Sequence, residues 1–395
     1  MAKKAYIGVD GVAKKVKKIY VGVDGKARKV KKGYIGVGGV ARPFWAGGEL
    51  TYYGKVSGLS MHAYYQESTT VNGYGFARTN TGEGANGATA VSPTLTVTKL
   101  SNLDSPGYYQ YPAENGKYAI FCGGRSIVIG SGEAEYFYPH ATAYDTSYTK
   151  KSASSTGFNA VYRGARAGNS ALFFGVWRDY GGSNVVIGYN QALTKTNTTR
   201  SNSSSITSGA ASTVGNRAVF VTYEHSHVDE EDGWSYSKSV AMAYSSSLTR
   251  TNMTAPSTNT SRAASYEEIA GSVGNNAVFM DLECTPTGQV TAYTSGLTKM
   301  LLTSLGRKDY YGDKMVANAG EDGEFLIFAG GHVSPFTEQA PVRAYDESLT
   351  LTFPPLLSGL REDGTGITAG KYAVFTGGFD YYSDTYDYAD VYTVV

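Results

Sequence analysis

Short apolar runs bounded by glycine recur along the chain at a spacing near 50 residues. The clearest is Gly370-Lys-Tyr-Ala-Val-Phe-Thr-Gly-Gly378, and Gly116-Lys-Tyr-Ala-Ile-Phe-Cys-Gly-Gly124 is nearly the same string. Weaker copies begin at Gly168, Gly215, Gly274 and Gly323, and the most degenerate at Asn72. Aligned on their inner aromatic position they give Ala77, Phe121, Phe173, Phe220, Phe279, Phe328 and Phe375, with spacings of 44, 52, 47, 59, 49 and 47. Seven copies at this period predict a repeat architecture. The leading Gly-Asn or Gly-Lys pair reads as a two-residue hairpin turn, because glycine supplies the positive φ of primed turns. The β-branched and aromatic residues behind it read as a buried strand. The closing Gly-Gly reads as a place where backbone packs closely.

A second signature follows each run by about 20 residues. Its tyrosine recurs at Tyr144, Tyr189, Tyr244, Tyr293, Tyr345 and Tyr392, with Val91 in the first copy. Beyond it come Leu95-Thr96, Tyr148-Thr149, Leu193-Thr194, Leu248-Thr249, Leu297-Thr298 and Leu349-Thr350. That spacing predicts strand, tight turn and strand, with Leu-Thr in the last strand. Each unit is then a four-stranded antiparallel sheet, and seven units predict an all-β, seven-bladed β-propeller. An apolar strand ending in Gly-Gly (123–124, 330–331, 377–378) and a later Tyr-Asp (144–145, 345–346) resemble kelch repeats. The last unit runs out at its third strand, 389–395. An orphan strand, Leu50-Thr-Tyr-Tyr-Gly-Lys-Val56, is therefore expected to complete the last blade and close the ring, leaving no exposed edges.

The net charge of +1 hides two unlike parts. Residues 1–45 hold 12 Lys and Arg against Asp10 and Asp24, and the rest holds 23 basic against 32 acidic residues. The basic part is itself a 14-residue repeat: Tyr6-Ile-Gly-Val-Asp-Gly11, Tyr20-Val-Gly-Val-Asp-Gly25 and Tyr34-Ile-Gly-Val-Gly-Gly39. Asp-Gly is a hairpin signal. Three short hairpins bury too little to fold alone, so the arm is expected to order against a partner or against copies of itself. The docking residues expected are Tyr6, Lys14, Lys15, Lys17, Lys18, Tyr20, Lys29, Lys31, Lys32 and Tyr34. The lysines suit an acidic protein surface. Nucleic acid is the weaker reading, because stacking aromatics are not interleaved beyond one tyrosine per repeat. The motif resembles N-terminal repeats of proteins encoded by phages and prophages of Gram-positive hosts, where it precedes different downstream domains. The expected division is an arm at 1–45 and a propeller at 46–395.

Only 17% of residues are charged, while 49 are glycine and 33 tyrosine, which suits strands and turns. No apolar stretch approaches the roughly 20 residues of a membrane span. The start lacks the apolar core of a secretion signal, so synthesis in a host cytoplasm and release by lysis are expected. Cys122 and Cys284 are expected as free thiols, not a bridge.

Loops between second and third strands are the long, varied ones, where binding residues usually sit. They offer Trp177, Arg178 and Tyr180; His225, His227, Trp234 and Tyr236; and Tyr381, Tyr382 and Tyr386. Aromatic rings beside hydroxyls and carboxylates suit a sugar or a protein surface. His225 and His227, two apart on a strand, would point to one side, yet no third metal ligand is assured. No metal or cofactor is therefore assigned. Nucleophile elbow, phosphate loop and zinc-type cysteine pair are all missing, and no carboxylate pair stands out for glycoside cleavage. The reading is a non-enzymatic virion component. Its arm binds other virion proteins, its loops bind a host-surface glycan or protein, and it forms homo-oligomers on the particle. A cellular kelch-type scaffold and a propeller glycoside-active enzyme are the alternatives.

Overall fold

A computed structural model of the chain describes residues 6–9, 12–15, 19–23, 26–29, 32–37, 40–46, 49–57, 68–79, 86–105, 108–128, 134–137, 139–156, 160–177, 183–197, 206–228, 235–256, 268–281, 290–302, 310–311, 315–330, 332–333, 338–339, 341–359, 361–379 and 388–394. Every regular element among them is a β-strand. Seven antiparallel sheets follow one another: 68–99, 108–153, 160–197, 206–253, 268–301, 315–352 and 362–394. These are the seven blades of a β-propeller. In the first six the main strands are hydrogen-bonded in sequence order, and in the seventh Leu50–Ser57 is added outside the third strand; the first strands touch those of both neighbouring blades, so they form the inner wall.

Seven apolar clusters hold the ring, one in each seam between blades. The two repeated signatures meet in six of them. Phe121 lies edge-on to Tyr144, Phe173 to Tyr189, Phe220 to Tyr244, Phe279 to Tyr293, Phe328 to Tyr345 and Phe375 to Tyr392. Centroid separations of 5.8–6.3 Å are those of favourable aromatic pairs. Ala77 and Val91 take these places in blade 1, at the seam with blade 7. Four of the tyrosines also reach back to the preceding blade. Their hydroxyls donate to the carbonyls of Ser101, Ser154 (2.6 Å), Thr254 (2.7 Å) and Pro355 (2.6 Å), in the segments that follow the outer strands. Burial accordingly pushes the Tyr144 hydroxyl up to about 12, and the Tyr189 and Tyr392 hydroxyls further. Cys122 is a free thiol in the seam of blades 2 and 3, raised well above its usual range by burial; Cys284 lies outside the described residues.

The structure corrects two details of the sequence reading. Leucine or tyrosine of each Leu-Thr pair does not begin the fourth strand. It sits inside the turn with φ of 58–64° at Leu95, Tyr148, Leu193, Leu248, Leu297 and Leu349. In blade 2 the Tyr148 amide donates to the Asp145 carbonyl, and the Asp145 amide to the Thr149 carbonyl. The Asp145 carboxylate accepts from the amides of Ser147 and Thr149. Asn190 and Asp346 repeat this with Thr194 and Thr350. This is a three-residue hairpin whose left-handed position normally favours glycine. Here each bulky side chain packs on the cluster of the preceding seam, and that burial offsets the strain. The second correction concerns Gly-Gly. Gly123, Gly330 and Gly377 have φ of 85°, 84° and 69°, so backbone conformation, not only space, demands glycine there.

The orphan strand closes the ring as the missing last strand of the seventh unit predicted. Leu50–Ser57 pairs antiparallel with Tyr388–Val394, from Leu50 opposite Val394 to Ser57 opposite Tyr388, with a bulge at Tyr53. A buried polar network fastens it. Asp390 accepts from Arg361 (3.1 Å), from the Tyr52 hydroxyl (2.7 Å) and from the Ser358 amide (3.1 Å). Arg361 also donates to the carbonyls of Gly377 and Tyr388, and both charged side chains are fully shielded from solvent. Among the described residues the arm's strands pair with each other, Tyr6–Val9 with Val12–Lys15, Tyr20–Val23 with Lys26–Lys29, and Lys32–Val37 with Val40–Ala46.

Candidate functional site

Strand order gives the ring two unlike faces. Turns joining strands 1 to 2 and 3 to 4 lie on one face; connections 2 to 3 and 4 to 1 lie on the other. The turn face is short and mostly latched. Asn72 donates to the Gly116 carbonyl, Asn115 to Asn190, Gln191 to Asn115, and Asn276 to Glu347. Backbone bonds join Gly320 to Lys371 and Gly370 to Gly73. Arg166 pairs with Glu114 at 2.8 Å across the seam of blades 2 and 3. Burial raises the Glu114 carboxyl above its usual value, although Arg166 opposes the shift.

On the loop face, described strands lead up to the residues expected from sequence. Trp177 ends the second strand of blade 3, opposite Ser183; Arg178 and Tyr180 lie outside the described residues. Blade 4 has a long hairpin, Arg217–Val228 with Ser235–Tyr244. It sets His227 opposite Tyr236 and His225 opposite Ser237. The bulge falls between the two histidines, so the unbroken alternation that would put both on one side does not run through them. Trp234, Tyr381, Tyr382 and Tyr386 lie outside the described residues. No group of three His, Cys, Asp or Glu is placed to hold a metal among the described residues. In the arm, Tyr6 stands opposite Lys15, Ile7 opposite Lys14, Tyr20 opposite Lys29, Lys32 opposite Ala46 and Tyr34 opposite Pro43; Lys17, Lys18 and Lys31 lie outside the described residues.

Sequence reasoning missed a depression on the turn face. It opens between blades 3 and 4, has a volume of about 680 Å³, and is lined by residues including Asn169, Asn190, Gln191, Asn216, Ser246 and Ser247. Every one is a common turn residue, so nothing in the string marks it. The only signal available was position, since all belong to the four turns that flank one seam.

No protein-family model matches the chain, and no curated protein matches it. Among solved structures, one described as the structure of YjhT is similar, at 9% identity and a TM-score of 0.49. The similarity covers 75% of this chain and 98% of that one.

Proposed function

We propose that the chain is a binding component of a phage or phage-like particle: a tail fibre, a baseplate part or a surface-displayed adhesin. Residues 1–45 dock it on other virion proteins, and the propeller of 46–395 presents its loops to a host-surface glycan or protein. Several copies act together on the particle.

The observation that carries this reading is the polarity of the closing strand. Leu50 lies opposite Val394, at the end of the third strand of blade 7. The arm thus joins the ring at the turn face, and the long 2-to-3 loops leave from the opposite face. An anchor on one side and varied loops on the other is the arrangement a displayed binding module needs. The arm is also spare for docking, because the ring takes only Leu50–Ser57 from the N-terminal side to complete its last sheet. Tyrosine opposite lysine in the first two hairpins gives each a ring and a cation in register, and the charge favours an acidic docking surface.

Mass spectrometry of particles purified from a lysed source culture tests the reading. The chain is expected at a fixed ratio to the major tail or capsid protein. Exchange of Lys14, Lys15, Lys17 and Lys18 for Glu is expected to lower that ratio. Recovery only in the soluble lysate would overturn the reading and favour a cellular scaffold.

A further inference from the structure

We infer that the depression between blades 3 and 4 is a binding subsite for an uncharged saccharide, separate from the loop face. The argument starts from hydrogen-bonding capacity. On this face several amides are spent on latches: Asn72, Asn115 and Asn276 each donate across other seams, and Gln191 of the lining donates to blade 2. Among the described residues no turn side chain latches blade 3 to blade 4, nor blade 4 to blade 5; the 3–4 seam is bridged at its first strands instead, where the Thr213 hydroxyl meets the amide and the carbonyl of Arg166 at 3.1 Å each. Asn169 and Asn216, in the 1-to-2 turns of these blades, are exposed, and their side chains make no hydrogen bond with another described residue. The same holds for the Ser246 hydroxyl in the 3-to-4 turn of blade 4. Asn190 keeps its carboxamide oxygen on the amides of Ala192 and Thr194, and its NH2 group donates to no other described residue. These bonds hold the Asn190 turn, and Gly168 and Gly215 set the 1-to-2 turns with φ of 55°, so the backbone that carries the donors and acceptors is preset.

The lining also decides the ligand class. It contains no Lys, Arg, Asp or Glu, and the adjacent Arg166 is taken up by Glu114 and the Gly168 carbonyl, so no lining group is set to compensate the charge of a phosphate, a nucleic acid or an acidic sugar. It is built from turns, not from a strand edge, and has no large apolar pocket, so it lacks both means of seating an extended peptide. Carboxamides and hydroxyls supply donors and acceptors side by side, which is what neighbouring hydroxyls of a sugar ring require. The volume falls in the range of about 300–1,000 Å³ usual for small-ligand sites. In a seven-membered ring, blades 3 and 4 are also the two farthest from blade 7, where the arm departs.

The test uses the full chain on an array of immobilised neutral and acidic oligosaccharides, with a library of short peptides as a further arm. Neutral oligosaccharides are expected to be retained. The triple variant Asn169→Ala, Asn216→Ala, Ser246→Ala is expected to bind them about tenfold more weakly, the scale of losing two or three modest hydrogen bonds. Its melting temperature should not move, since these side chains hold no other described residue. Absence of neutral-sugar binding, preference for acidic sugars or peptides, or equal binding by the variant would each overturn the inference. Equal binding would place the sugar elsewhere, on the loop face for example. Particle composition is read in a different experiment, so failure here leaves the virion reading standing or falling by its own result.

Discussion

Six blades are built from contiguous chain and the seventh is composite, and the two kinds hold their outer strand differently. In the contiguous blades a short hairpin ties strand 4 to strand 3, and the outer strand is only two to four residues long, as in Leu351–Thr352 and Lys150–Ala153. A tethered strand needs few contacts, because its local concentration is high. In blade 7 the outer strand comes from more than 330 residues away in sequence and is eight residues long. Its Tyr52 hydroxyl also completes a fully buried ion pair of the blade's body, Arg361 with Asp390. Blade 2 shows what the same position does without that task. Thr142, two residues before Tyr144 as Asp390 is before Tyr392, is uncharged and bonds only to Asp104 of the crossing segment among the contacts described, through its amide (2.8 Å) and its carboxylate. Where covalent continuity is missing, a longer ladder and a specific polar network replace it.

The largest test of that contrast is truncation. Deleting residues 49–57 should abolish the single cooperative melting transition, whereas deleting 1–44 should leave the melting temperature unchanged. Calorimetry of both truncations reads the difference, and an unchanged transition without 49–57 would break the comparison. Next comes Asp390→Ala, which leaves the Arg361 guanidinium buried without its counter-charge. It should cost about 3–5 kcal/mol in denaturant unfolding, and Arg361→Met together with Asp390→Leu should recover much of it. Thr142→Ala should cost far less, on the order of 1 kcal/mol.

The smallest effect is expected in alkali. Burial first, and then Asp390, push the Tyr52 hydroxyl up to about 12 from its ordinary value near 10. The folded state therefore holds this proton more tightly than the unfolded chain does. That contribution is complete below pH about 10 and is lost as the pH rises through about 12. Tyr144 and Tyr345 are shifted to the same value, so stability should fall across this window in the intact protein. Tyr52→Phe should make the fall shallower, as measured by urea midpoints at stepped pH.

The architecture was legible because it is repeated. Seven glycine-bounded runs and six later tyrosines become Phe–Tyr pairs in successive seams, and the unpaired Leu50 strand found its place by elimination of edges. What escaped notice depends on neighbours that are distant in the chain. Arg361 and Asp390 look like ordinary surface charges until the last blade is assembled and the outer strand from Leu50 brings Tyr52 onto Asp390. Leu193 looks like the start of a strand, because turn rules expect glycine or asparagine at a left-handed position and give no weight to a seam that buries the side chain. The depression was hidden for the opposite reason. Asn169, Asn216 and Ser246 are what turns normally use, and only their lack of partners sets them apart. Of the loop-face residues, Arg178, Tyr180, Trp234, Tyr381, Tyr382 and Tyr386 fall outside the described residues, so their grouping rests on sequence.

The closing strand has a mechanical consequence. Leu50 and Val394 lie side by side at one end of a ladder with seven registered partners. Tension drawn through the chain before Leu50, directed along the strand and resisted by the body of the ring, loads those partners in shear, all together. The same pull directed outward, across the ladder, would open it one pair at a time from the Leu50 end. The last blade is thus an anisotropic clamp, strong along its outer strand and weak at right angles to it.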